Sequence, residues 1–137
     1  LLRDLRYLMV TTDFPPGVGG VQRLLSDLCE GLSSRGAVSV VALGAPPADG
    51  RRRPDYEVRY VKPLPVKLLT HLSFAVATLA RAFDRDIIIC GHVNAGPAVL
   101  VAHFLCRKPY IVYVHAMEVT YKKWRPLYRL ILRRART

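Results

Sequence analysis

An open, mostly parallel α/β sheet with helices on both faces is the fold class this sequence predicts, and three observations carry it. Short apolar, β-branched runs alternate with segments of helical spacing along the chain. Two of the runs, Asp86-Ile-Ile-Ile-Cys90 and Tyr110-Ile-Val-Tyr-Val114, are apolar at consecutive positions, as strands covered on both faces are. The chain has 137 residues, 51% of them hydrophobic, enough for one domain with a core and too few for two ordinary ones. Strands that alternate with helices in this way are joined by right-handed crossovers.

Arg6 to Thr12 reads as the first strand. A loop of two prolines and three glycines follows, Asp13-Phe-Pro-Pro-Gly-Val-Gly-Gly20, and then a helix with apolar Val21, Leu24, Leu25, Leu28 and Leu32 on one face. Gly36 is placed to end that helix. Ala37 to Leu43 reads as a second strand, Gly44 to Pro54 as a surface loop, and Tyr56 to Val61 as a third, alternating strand. Val66 to Phe83 reads as a mostly apolar helix, Gly96 to Leu105 as a buried one and Trp124 to Arg136 as a basic one. There is no internal repeat.

The formal charge of +11 is concentrated at one end: residues 120–137 hold seven Lys and Arg and no acid. A uniformly basic nucleic-acid binder would look different. Cys29, Cys90 and Cys106 are odd in number, widely spaced and set in apolar runs, which predicts thiols in a reduced, cytoplasmic compartment. No Cys/His pair has zinc-ligand spacing, so no metal is expected. The apolar stretch from Leu68 to Ala80 is interrupted by His71 and is shorter than the roughly 20 residues of a spanning helix. The N-terminus lacks the uninterrupted apolar core of a signal peptide. The chain begins with Leu1 rather than Met and ends without a turn or capping signal, which suggests a piece of something longer.

In a sheet of this class ligands bind beyond the carboxyl ends of the strands, where strand order reverses. Those ends hold Asp13 to Gly20, Gly91-His-Val-Asn94 and His115-Ala-Met-Glu118. His71 and His103 fall inside apolar helices instead, where a hydrogen-bonded core or interfacial role is expected. Gly19 and Gly20 precede a helix whose first N–H groups lack intrahelical partners, and a residue without Cβ lets a phosphate approach that backbone. A tight turn between strand and helix would use the same glycines. A P-loop is excluded because Gly20-Val21-Gln22 stands where Gly-Lys-Ser/Thr is needed. A dinucleotide fingerprint lacks both its third glycine, at Gln22, and an acid after the second strand.

Taken together, Asp13-Phe-Pro-Pro-Gly-Val-Gly-Gly-Val-Gln22, Asp86-Ile-Ile-Ile-Cys-Gly-His92 and Lys108-Pro-Tyr-Ile-Val-Tyr-Val-His-Ala-Met-Glu118 resemble the N-terminal, Rossmann-like domain of the retaining glycosyltransferases of family 4, with the GT-B fold. The similarity runs from about residue 6 to the end. It implies that Gly19 and Gly20 face the donor diphosphate and that His115 matches the family's histidine near the transferred sugar. Asp13, Gln22, His92, Asn94 and Glu118 would line the acceptor side. Ala116 departs from the pattern, where glycine is common. The resemblance further implies a nucleotide-sugar donor, a lipid-linked or glycan acceptor and no obligatory metal or other cofactor. The family's second domain carries two glutamates separated by seven residues, and Glu30, Glu57 and Glu118 make no such pair. The chain is therefore expected to be the acceptor-side half, with the donor domain absent and little activity alone.

The competing expectation is a non-catalytic basic module that binds an anionic membrane surface or nucleic acid. Arg125, Arg129, Arg133 and Arg136 recur on one helical face, opposite Trp124, Leu127, Tyr128 and Ile131. Nucleic acid is not an expected partner, since aromatic residues do not interleave with the basic ones on that face. Contact with the cytoplasmic face of a membrane suits either reading.

Overall fold

The computed structural model describes residues 5–48, 53–115 and 125–136. In chain order the elements are β1 (Arg6–Thr11), α1 (Gly20–Ser33), β2 (Ala37–Leu43), β3 (Glu57–Val61), α2 (Lys67–Ala82), β4 (Ile87–Cys90), a 3₁₀ turn (Val93–Ala95), α3 (Gly96–Cys106), β5 (Tyr110–Val112) and α4 (Arg125–Arg134). The strands form one sheet in the order β3-β2-β1-β4-β5, every neighbouring pair parallel. Chain order runs outward from β1 to β3 and then restarts on the other side of β1 with β4. The reversal lies between β1 and β4, which opens a crevice at their carboxyl ends.

Alternation along the central strands divides two cores. Leu8, Val10, Ile88, Cys90 and Tyr110 point to the face covered by α2, α3 and α4, where Phe74, Val99 and Ile131 complete the packing. Tyr7, Met9, Val40 and Ile89 point to the other face, covered by α1 through Leu25 and Cys29. At the amino end of the crevice pair, Arg6 and Asp86 join β1 to β4 by a side-chain ion pair at 3.2 Å and by two bonds through backbone N–H groups at 2.8 Å. The Arg6 guanidinium bonded to Asp86 holds that carboxyl below its ordinary range.

One strand end differs by two residues from the sequence reading, for a physical reason. β5 stops at Val112 rather than Val114, because β4, its only neighbour among the described strands, ends at Cys90 opposite Val112. Gly36 does follow α1, and its N–H closes the last turn on the Leu32 carbonyl. Its need for glycine comes from packing, since a Cβ there would collide with the Leu5 carbonyl oxygen.

Candidate functional site

The loop after β1 is shaped by Thr11, a fully buried threonine whose hydroxyl accepts from the Asp13 N–H at 3.0 Å and donates to the Asp13 carbonyl at 3.1 Å. That turn sends neighbouring side chains to opposite sides. Phe14 is buried toward α1, while Asp13 faces the crevice and accepts from the Thr12 hydroxyl at 3.1 Å. Across the crevice, after β4, His92 brings its Nε2 to 3.5 Å from Asp13 Oδ2. The His92 ring is set from behind: its Nδ1 accepts the Asn94 N–H at 3.1 Å, which leaves the proton of the neutral ring on Nε2, toward Asp13.

His115, three residues beyond β5, donates Nε2–H to the Gly91 carbonyl at 3.0 Å. Its ring lies 6.0 Å from that of His92, centroid to centroid. Three strand ends thus converge, and Asp13, His92, Asn94 and His115 are brought together as the sequence placed them. Glu118 and Ala116 lie outside the described residues.

The two loop glycines are not equivalent. A Cβ on Gly19 would collide with the side-chain amide of Gln22, which folds back over the loop and also approaches Gly17. A Cβ on Gly20 meets no described atom within 4 Å. The first turn of α1 therefore offers an open backbone at Gly20, while Gly19 makes room for Gln22.

One participant was not singled out in the sequence for the site. Tyr128 of α4 donates its hydroxyl to Asn94 Oδ1 at 3.0 Å and so ties that helix to the crevice. The signal was present: a tyrosine on the inner face of an amphipathic helix needs a partner for its hydroxyl. The other histidines divide. His103 donates Nδ1–H to the Lys108 carbonyl at 2.7 Å and packs edge-on against Tyr110, as expected of an interfacial histidine, whereas His71 is exposed. Arg129, Arg133 and Arg136 are exposed, and the side chain of Arg125 lies outside the described residues.

A cavity of about 410 Å³ lies behind the same loop, on the α1 side, lined by Phe14, Pro15, Pro16, Tyr56 and Tyr60 among others. It was not anticipated from sequence. It exists beside α1 because β2 and β3 are joined by the 44–56 segment, in which no described residue is helical. Tyr60 donates its hydroxyl to the Pro15 carbonyl at 2.6 Å and anchors the loop to β3.

Comparisons with known proteins bear on the family and the fold. The family model for Glycosyltransferase Family 4 matches residues 18–137. Among solved structures, Anabaena Alr3699/HepE, determined with UDP and glucose, superposes with a TM-score of 0.67 at 19% identity, over 96% of this chain and 36% of that one. Phytolacca americana UGT2, determined with UDP-2fluoro-glucose and pterostilbene, superposes with a TM-score of 0.57 at 16% identity, over 93% of this chain and 35% of that one. The chain thus spans about a third of the length of either protein. No curated protein sequence matches it. At these identities the superpositions speak for the fold, a parallel Rossmann-like sheet of the kind that forms the N-terminal half of GT-B enzymes. The family match covers most of the chain, and the protein belongs to glycosyltransferase family 4.

Proposed function

We propose that the chain is the acceptor-side domain of a retaining transferase that moves a sugar from a nucleotide-sugar donor to an acceptor hydroxyl, on a lipid-linked or glycan acceptor. The observation that carries this reading is the meeting of Asp13, His92 and His115 beside the open first turn of α1. The N–H groups around Gly20 point out of a helix N-terminus with space in front of them, a setting that favours a diphosphate. Stabilising the charge that develops on that leaving group is the electrostatic contribution that usually dominates such transfers. His115 would stand next to the transferred sugar, and Asp13 and His92 would hydrogen-bond acceptor hydroxyls, with Gln22, Asn94 and Glu118 at the periphery. No metal is needed for these roles. The reading places the reaction in the cytoplasm, with the donor domain supplied by further chain.

The test uses the full-length protein and a panel of UDP- and GDP-sugars. Gly20→Val should cut donor turnover by about 100-fold, the range for a diphosphate kept out of reach of one such hydrogen-bond donor by the added side chain, while its thermal midpoint stays near that of the wild type. His115→Ala should lower turnover similarly. Normal activity per folded molecule in Gly20→Val would reduce the glycine to a turn residue. Turnover by residues 1–137 alone at the full-length rate would overturn the half-enzyme reading.

A further inference from the structure

Helix α2 is built inside out. Its inward side carries Thr70, Phe74, Ala77, Thr78 and Ala82, and the threonine hydroxyls are satisfied locally, Thr78 by the Phe74 carbonyl at 2.8 Å and Thr70 by the Leu64 backbone. Its outward side carries Leu68, Leu69, Leu72, Val76, Ala80 and Phe83. Leu68 is 67% exposed, Val76 65% and Phe83 63%. A helix at a protein surface normally shows polar residues outward, and contiguous exposed apolar surface of this kind marks an interaction site.

The surface continues onto its neighbours. α3 lies beside α2 on the same face of the sheet and exposes Phe104 and Leu105, and the Arg134 guanidinium of α4 sits 5.3 Å from the centroid of the Phe104 ring. Charge on this layer is mainly of one sign, the exposed acids at its margin being Glu57, paired with Arg81, and Asp84, paired with Arg85. There is no Asp or Glu from Val58 to Phe83, nor in α3 or α4, while Lys62, Lys67, Arg107, Arg129 and Arg133 are exposed around the apolar stripe.

We propose that the outer face of the α2–α3–α4 layer docks on an anionic phospholipid bilayer, with α2 lying in the interface and the basic residues meeting headgroups. The combination of an apolar stripe with a predominantly cationic rim is what such a surface complements. A second copy fits less well, since a face-to-face pair would bring two positive rims together. Among the described residues no helix is long and apolar enough to cross a membrane. This shifts the expected membrane contact from the arginines of α4 alone to α2, and from salt-reversible attraction to attraction plus insertion.

Vesicle sedimentation of the full-length protein tests this, using phosphatidylglycerol/phosphatidylcholine and pure phosphatidylcholine vesicles. Salt at about 0.1 M and about 1 M spans Debye lengths of roughly 10 and 3 Å. The wild type should bind anionic vesicles and keep part of that binding at high salt. The double variant Leu72→Gln, Val76→Gln should bind about tenfold or more weakly and lose the salt-resistant part, since the removed apolar area no longer leaves water. The double variant Arg129→Gln, Arg133→Gln should lose several-fold of the salt-sensitive part. Thermal midpoints for both should match the wild type. Absence of wild-type binding to anionic vesicles, undiminished binding by the apolar variant, or a dimer that the apolar variant dissociates would each overturn the proposal. None of these results depends on sugar transfer, so the proposal stands or falls separately from the catalytic reading.

Discussion

Helices α1 and α2 cover opposite faces of one sheet, and they solve the problem of the helix surface in opposite ways. α1 buries Leu25 and Cys29 and turns Arg23, Asp27 and Glu30 to solvent. α2 buries threonines beside Phe74 and turns leucines and Val76 outward. Apolar spacing alone identifies both as helices, yet only in α1 does the apolar face, Leu24 apart, turn toward the sheet. The difference teaches that the periodicity of a helix reports its form, whereas the surface that periodicity serves depends on what lies beyond the domain.

Inner-face substitutions should break the comparison most strongly. Leu25→Ala, at a fully buried site beneath α1, should cost about 2–5 kcal/mol in urea unfolding. The corresponding change on α2, Thr70→Val, removes the acceptor for the Leu64 N–H and should cost about 1–3 kcal/mol. If Thr70→Val were neutral, the buried threonines would be fillers rather than anchors of the 62–66 segment.

pH sharpens the same contrast. Burial pushes the Cys29 thiol, under α1, from about 9 to about 12, and burial likewise raises Tyr56 beside it to about 12. Both groups lose protons more readily when unfolded. Their contribution is therefore whole below pH 9 and is lost as pH rises from about 9 toward 12. Stability should fall over that window, and Cys29→Ala should flatten the first part of the fall in a series of thermal melts. Asp86 acts at the other end of the scale. Its carboxyl is held low by Arg6, so the stability it supplies is present above the ordinary carboxylate range and disappears as pH drops through the depressed value. Asp86→Asn should shallow the acid limb.

The smallest effects on stability belong to the outward faces. Arg23→Gln on α1 and Leu72→Gln on α2 should each shift stability by within about 0.5 kcal/mol, since both sites are exposed. They should differ in association: only the α2 change should alter what the protein adheres to.

How far these features were legible follows from the physics each one uses. The strands Ile87–Cys90 and Ala37–Leu43 were readable because burial on both faces leaves a run of apolar residues, unbroken in the first and interrupted only by the buried Ser39 in the second. Strand order was not, since register and neighbours arise from contacts between distant segments such as Met9 with Val40 and Ile89. At the site, Asp13, His92 and His115 could be named because strand ends are fixed by the strands. Tyr128 could not be assigned to the crevice, because α4 reaches it only through three-dimensional packing. The cavity by Tyr60 was equally hidden, being defined by what the segment between β2 and β3 leaves open.

The row of hydrogen bonds from α4 to the crevice has a polarity with a chemical result. Tyr128 donates to Asn94, the Asn94 N–H donates to His92, and the remaining proton of neutral His92 points toward Asp13. His115 is the same tautomer: it donates its Nε2–H to the Gly91 carbonyl, so that in the neutral ring the lone pair lies on Nδ1. Two histidines 6.0 Å apart therefore share a tautomer and differ in what its hydrogen meets, a carboxylate at His92 and a backbone carbonyl at His115. The His115 ring is thereby fastened to the carboxyl end of β4, while the Nε2–H of neutral His92 is turned toward Asp13. The direction of the hydrogen that meets Asp13 is thus set from α4, through Tyr128 and Asn94.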